Sequence, residues 1–213
     1  MFSSTAELVD ALADLSKRNA ARDELVRLGA QATPFLLHAA DAPKNPEHYK
    51  TILRTLLLIR DPHAQELFRR ALASGDEEVR ALGARGLYLA KAPEALSALQ
   101  ATINDSPDPL HWEQTPAVQS LIEMGTAVLP TVFALMDSSN ETKRRRAQYV
   151  LATVVLQDIN QRLQPRPLTN QAIQEWERLH QANGSYEWNG TESARKISIE
   201  LWKRWFAELD SHS

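Results

Sequence analysis

The chain has 213 residues, 43% of them hydrophobic, a formal net charge of −3 and no cysteine. That length suits one elongated domain or two globular ones, and the near-neutral charge gives no general pull toward nucleic acid or anionic membrane. Disulfides, thiolate metal sites and thiol nucleophiles are excluded. The N-terminus, from Met1 to Asp10, lacks the basic and then apolar order of a secretion signal, so a soluble cytoplasmic protein is expected.

In chain order, residues 5–15 carry apolar positions at helical spacing, with Thr5 as the expected cap. A second helix, Ala21 to Leu28, ends at Gly29, a residue free to take positive φ. Pro34 then opens a helix that closes near Asp41, because proline loses nothing in a first turn. The same grammar repeats. Helices are predicted from His48 to Ile59, Ala64 to Ala73, Asp76 to Ala90 and Glu94 to Ile103, with breaks at Asp61-Pro62, Ser74-Gly75 and Lys91-Ala92-Pro93.

Asn104 to Pro109 is the longest turn-rich break. Helices are then expected over His111 to Met124, Leu129 to Met136 and Glu141 to about Leu156. Beyond Pro165-Arg166-Pro167 the pattern changes. One helix runs to His180 from a cap at Thr169 or Asn170, and a last one spans Glu192 to Leu209. Trp176, Trp188, Trp202 and Trp205 all fall in this segment.

Inter-helix turns thus fall near residues 29, 60, 91, 125 and 157, about 32 residues apart. Two turns share a fuller signature. Leu25-Val26-Arg27-Leu28-Gly29-Ala30-Gln31-Ala32-Thr33-Pro34 aligns with Leu121-Ile122-Glu123-Met124-Gly125-Thr126-Ala127-Val128-Leu129-Pro130, and Asp41 aligns with Asp137. A helix pair of this length cannot bury its own apolar face, and stacking the pairs makes the core. The expected fold is all-α, a right-handed α-solenoid of stacked antiparallel helix pairs. Residues 1–160 form the array, and 161–213 an aromatic-rich helical cap packed on it as one continuous domain.

The Leu25 to Leu36 pattern resembles HEAT repeats, with the bacterial HEAT-like group of phycobilin lyase repeats the nearest, and Glu78 to Ala90 resembles the first helix of such a repeat. The resemblance covers roughly residues 18–158. Ile59-Arg60-Asp61 and Ala90-Lys91-Ala92 depart from it by lacking the turn glycine. The signature is structural and carries no chemistry. It implies a scaffold or adaptor that binds a protein partner, with bilin lyase-like or glycosylase-like enzymes as minority alternatives.

No nucleotide loop, zinc motif or calcium loop is present. None of the six histidines pairs with another at i+4, and no carboxylate pair is set to converge, so no catalytic, cofactor or metal residue is assigned. The expected binding face is built from the second helices, 34–41, 64–73, 94–103 and 129–136, which carry Phe35, His38, Phe68, Arg69, Ser97, Gln100 and Phe133. The candidate partner-binding residues are Lys143, Arg144, Arg145, Arg146, Arg69, Arg70, Trp112 and Trp188. Nucleic acid is the second partner considered, on a basic ridge running from Lys143–Arg146 to Arg69, Arg70, Arg80 and Arg85. The four residues of the run point to all sides of a helix, so they form no stripe by themselves. The longest apolar runs are too short to cross a bilayer.

Overall fold

The structure is a computed structural model that describes residue 2, residues 4–163 and residues 169–210. Among the described residues it holds twelve α-helices and no strand, as expected of an all-α, HEAT-like solenoid. The Pro165-Arg166-Pro167 break lies outside the described residues. Contacts divide the chain into two compact units, Met1–Ser106 and Pro107–Ser213, at the turn-rich break of the sequence. The segment beyond residue 160 belongs to the second unit together with three preceding helices.

The first unit comprises α1 (Thr5–Ala11), α2 (Arg18–Leu28), α3 (Thr33–Asp41), α4 (Pro46–Ile59), α5 (Gln65–Leu72), α6 (Glu77–Leu89) and α7 (Ala95–Ala101). Side chains satisfy the free N–H groups at helix starts. Asn45 Oδ1 accepts from His48 N at 2.8 Å, and Asp76 Oδ1 from Glu78 N at 2.9 Å. Ser4, not Thr5, caps α1, accepting from Glu7 N. The pairs bury Leu25, Leu36, Leu53, Leu56, Leu67 and Leu87. At roughly 2–3 kcal/mol for each buried leucine, such positions supply most of the driving force.

One close approach sets the geometry of α5 on α6. A Cβ at Gly83 would lie 2.8 Å from Phe68 O and Leu72 N, and one at Gly86 would overlap the Phe68 ring. Glycine at both positions lets the backbones meet and lets Phe68 sit buried between them.

The turns of this unit keep one backbone feature on different residues. Gly29 has φ 61 and ψ −137, a combination closed to other residues. Arg60 and Lys91 occupy the corresponding turns with φ 58 and φ 55, the left-handed helical region, although neither is glycine. After α6 the chain forms a Schellman closure: Ala92 N donates to Leu87 O at 2.9 Å and Lys91 N to Tyr88 O at 3.0 Å. The missing glycine changed the residue and left positive φ in place.

The second unit comprises α8 (Pro116–Glu123), α9 (Leu129–Met136), α10 (Glu141–Arg162), α11 (Asn170–Ala182) and α12 (Glu192–Asp210). Two expectations need correction. The helix placed over His111 to Met124 begins only at Pro116, after Thr115 caps it by accepting from Val118 N. Residues 107–115 form an irregular loop. The turn expected near 157 is absent, because α10 holds no glycine or proline and keeps Val154, Val155 and Ile159 buried as it runs on to Arg162.

Helices α9 and α10 pack together, α11 lies on α10, and α12 on α9. Trp202 is fully buried, stacked on Trp176 at 5.8 Å between centroids and met edge-on by Trp205 at 5.3 Å. Phe206 meets Phe133 at 6.2 Å. The tryptophans of α11 and α12 are therefore packing groups, with Trp176 and Trp205 half-buried at the margin.

Candidate interaction surfaces

The second helices of the first unit resolve the expected binding face residue by residue. Phe35, His38, Arg69, Arg70 and Ser97 are exposed, Gln100 is half-buried, and Phe68 belongs to the core. In the second unit Phe133 is core as well. The arginines of α5 do not stand as free cations. Arg70 Nη1 lies 2.9 Å from Asp41 on α3, and Arg69 Nε 2.5 Å from Glu94 at the start of α7, with Glu66 at 2.9 Å on the other side. One face of α3, α5 and α7 is thus a ladder of neutralised pairs.

The first helices carry a second ladder. Glu47 accepts from Arg18 at 3.1 Å and from Arg54 at 2.9 Å, Arg54 also pairs with Glu78, and Lys50 reaches Glu78 at 2.9 Å and Asp76 at 2.8 Å. The Lys50 ammonium beside Asp76 holds that carboxyl below its ordinary value.

In the second unit the basic run turns inward. Arg146 is 2% exposed and donates from Nη2 to Trp112 O at 3.2 Å. Arg144, also buried, donates from Nη1 to Ser138 O and Ser139 O, both at 2.9 Å, and from Nε to Trp188 O at 2.8 Å. Arg145 lies 3.1 Å from Glu113 and stands 5.9 Å from the centre of the Trp188 ring. Lys143 is half-buried. The expected basic ridge loses Arg144 and Arg146 to backbone carbonyls. The sequence hides part of this, because the Trp112 and Trp188 carbonyls come from loops 34 and 44 residues away.

Those arginines fix two loops on α10. Trp188 N donates to Gln148 Oε1 at 2.9 Å, and the Tyr186 hydroxyl donates to Met136 O at 2.7 Å. Burial pushes the Tyr186 phenol up to about 12. The other loop closes on itself. Asp108 Oδ1 accepts from Leu110 N at 2.7 Å and His111 N at 3.0 Å, Gln114 N donates to His111 O at 2.7 Å, and Asp108 N to Gln114 O at 2.8 Å.

With its backbone held at both ends and by Arg146, this loop turns Leu110 and Trp112 outward, 86% and 64% exposed. Beside them, His111, Trp112, Glu113, Gln114 and Tyr149 line an open notch of about 260 Å³. Gln114 Nε2 donates to the Tyr149 hydroxyl at 3.3 Å. Two large apolar side chains on a pinned loop, with a tyrosine and an arginine at their base, have the composition of a binding hot spot. The sequence singled out Trp112 but set it on a helix and did not single out Leu110. The signal for a loop was Thr115-Pro116, a cap followed by a first-turn proline.

Among the described residues, no cluster of three histidine, aspartate or glutamate side chains is set to hold a metal ion. No helix among them is long and apolar enough to cross a membrane. Residues 33–113 match the HEAT repeats family model. The crystal structure of an engineered protein, 15% identical, aligns over 95% of this chain and 98% of its own, with a TM-score of 0.42. No curated protein matches the chain.

Proposed function

We propose that this protein is a non-catalytic interaction scaffold that binds a protein partner, and that the loop of residues 107–115 is its principal anchor. The observation that carries this reading is the pairing of a rigidly held backbone with exposed Leu110 and Trp112. Ordering a floppy loop on binding is costly, and a loop already fixed avoids that loss. The match to HEAT repeats over residues 33–113 supports the same reading, since such repeats generally serve protein interaction. Trp188 and Arg145 extend the anchor at its base, and Arg69, Arg70 and the exposed residues of α3 and α7 offer a second, polar surface on the first unit. Segment 161–213 acts as the cap that closes the aromatic core of the second unit. A bacterial, cytoplasmic adaptor of the phycobilin lyase-type repeat group is the setting we propose for it.

The test is capture of partners from the native host on tagged protein, comparing wild type with a Leu110→Ala/Trp112→Ala variant, followed by titration of the purified partner. A stoichiometric protein partner whose affinity falls about 30-fold or more in the variant is expected, the scale of one hot-spot residue. Recovery of nuclease-sensitive material alone, or equal affinity for both proteins, overturns the proposal.

A further inference from the structure

Nearly every basic side chain of the first unit is engaged. Lys17, Arg18, Arg22, Arg27, Lys44, Lys50, Arg54, Arg69, Arg70 and Arg80 each lie within ion-pair distance of a carboxylate. Arg85 has an interaction as well. Among the described residues of this unit the two exceptions are Arg60 and Lys91, both exposed. These same two residues hold positive φ in turns where a glycine would be at ease.

The two cations follow helices that pack together. Helices α4 and α6 pack side by side, and the pairs Lys50–Asp76, Lys50–Glu78 and Arg54–Glu78 bring their N-terminal halves into register. The helices therefore run parallel, and their C-terminal ends, closed by Arg60 and by Lys91, emerge at one edge. Arg60 and Lys91 thus sit at the same end of two packed helices. Leu58, in the last turn of α4 two residues before Arg60, is 54% exposed, and His63 in the following turn is exposed as well. Of the acids nearest in sequence, Glu94 pairs with Arg69, and Asp61 is buried and directed at His63, accepting from its backbone N–H at 3.0 Å and lying 2.7 Å from its Nδ1. Neither acid lies within ion-pair distance of Arg60 or Lys91.

Left-handed backbone at a non-glycine residue is strained, and a cation at a helix C-terminus offsets part of that strain through the helix dipole. Glycine would avoid the cost, as Gly29 does at the preceding turn. We propose that the edge formed by Arg60, Lys91 and Leu58 docks an acidic segment of a polypeptide partner, its carboxylates meeting the two unpaired cations and an apolar residue covering Leu58. This inference deepens the scaffold reading and rests on it. Charge complementarity selects the occupant, because the edge carries two uncompensated positive charges in a unit whose other cations are neutralised.

The substitution Arg60→Gly/Lys91→Gly separates binding from folding, since it deletes both charges while relieving the backbone. The probe is a short fluorescent peptide alternating glutamate with leucine, titrated at low salt, where screening is weakest. The full-length protein is expected to bind it, and the double glycine variant to bind about fivefold more weakly with an unchanged or higher Tm. Arg60→Lys/Lys91→Arg restores binding. Lys17→Gln/Lys44→Gln, which removes two cations from the opposite helix ends, leaves it unaltered. Equal binding by the glycine variant, tighter binding of a single-stranded DNA probe than of the peptide, or no binding by wild type overturns the assignment. If a host partner is captured through Leu110 and Trp112 while the glycine variant keeps full affinity for the peptide, this edge fails and the scaffold reading stands. If no protein partner is captured, the scaffold reading itself fails.

Discussion

The two units differ in how deeply their arginines are buried and in what the buried ones hold. In the first, Arg18, Arg54, Arg69 and Arg70 reach carboxylates on a neighbouring helix, while Arg18 and Arg80 also donate to carbonyls of nearby turns. In the second, Arg144 and Arg146 reach inward to the backbone carbonyls of loops. Regular repeats place corresponding side chains beside one another, so charges find partners without leaving the surface. Loops satisfy fewer of their own carbonyls, and a buried carbonyl without a donor costs about 1–3 kcal/mol. The guanidinium, with five N–H groups, closes that deficit from a single helix. Where the repeat is regular, close helix packing orders the chain. Where it is irregular, directed hydrogen bonds do so, and that unit carries the exposed tryptophan.

The strongest test of the contrast is steric. Gly86→Ala forces a methyl group into the Phe68 ring, and Gly83→Ala one against the backbone of α5. Each is expected to destabilise the first unit by about 3 kcal/mol, at the upper end of overpacking costs. Thermal unfolding of each variant checks this. A loss below about 1 kcal/mol would show that close packing is not what orders this unit.

The hydrogen-bond side of the contrast is next. Arg146→Met keeps apolar bulk and removes the donor to Trp112 O. A loss of about 2 kcal/mol is expected, together with faster proteolysis around Leu110 to Trp112 as the loop is freed. If stability falls while the loop stays protected, Arg146 is a core group and does not act as a clamp.

Much of this was readable beforehand because it depends on local chemistry. The period, the glycine at 29 and 125, the caps at Asp76 and Asn140 and the first-turn prolines all act within a few residues of themselves. Four tryptophans in one segment pointed to aromatic packing there, and Trp176, Trp202 and Trp205 do pack together. Long-range contacts were not readable. Arg146 and the Nε of Arg144 meet carbonyls from distant loops, which no local pattern announces, although Ser138 O and Ser139 O lie close to Arg144 in sequence. The glycines of α6 sit within a helical pattern, and only Phe68 arriving from α5 explains them. The absent turn at 157 shows the limit of periodicity, for a repeat spacing cannot break a helix that lacks a breaking residue.

Tyr186 sharpens the comparison through pH. Its phenol is 1% exposed and donates to Met136 O, and burial holds its folded value near 12 against about 10 when unfolded. Between those values the folded state binds the proton more tightly, so stability falls as pH rises from about 10 to 12 and is complete below 10. The loss is on the order of 2 kcal/mol. Tyr186→Phe should remove that slope while lowering stability at neutral pH by about 1 kcal/mol, because Met136 O loses its donor. Denaturant unfolding across that pH range checks both. An unchanged slope in the variant would assign the alkaline transition to other groups.

The smallest effect concerns the turns. Lys91 completes a Schellman closure in which glycine is normally placed, and Gly184 fills the same position after α11, with Ser185 N donating to His180 O at 2.9 Å and Gly184 N to Gln181 O at 3.1 Å. The two units therefore share one helix ending built on different residues. Lys91→Gly should raise stability by about 0.5 kcal/mol, the relief of left-handed backbone less the lost dipole interaction and the greater freedom of the unfolded chain. Gly184→Lys carries the opposite sign and should cost more, because its Cβ would also lie 3.3 Å from Leu201 Cδ1. Chemical denaturation of the two exchanges measures the same backbone term in both settings. A stabilising Gly184→Lys would show that packing around α12, and not the turn, selects the glycine there.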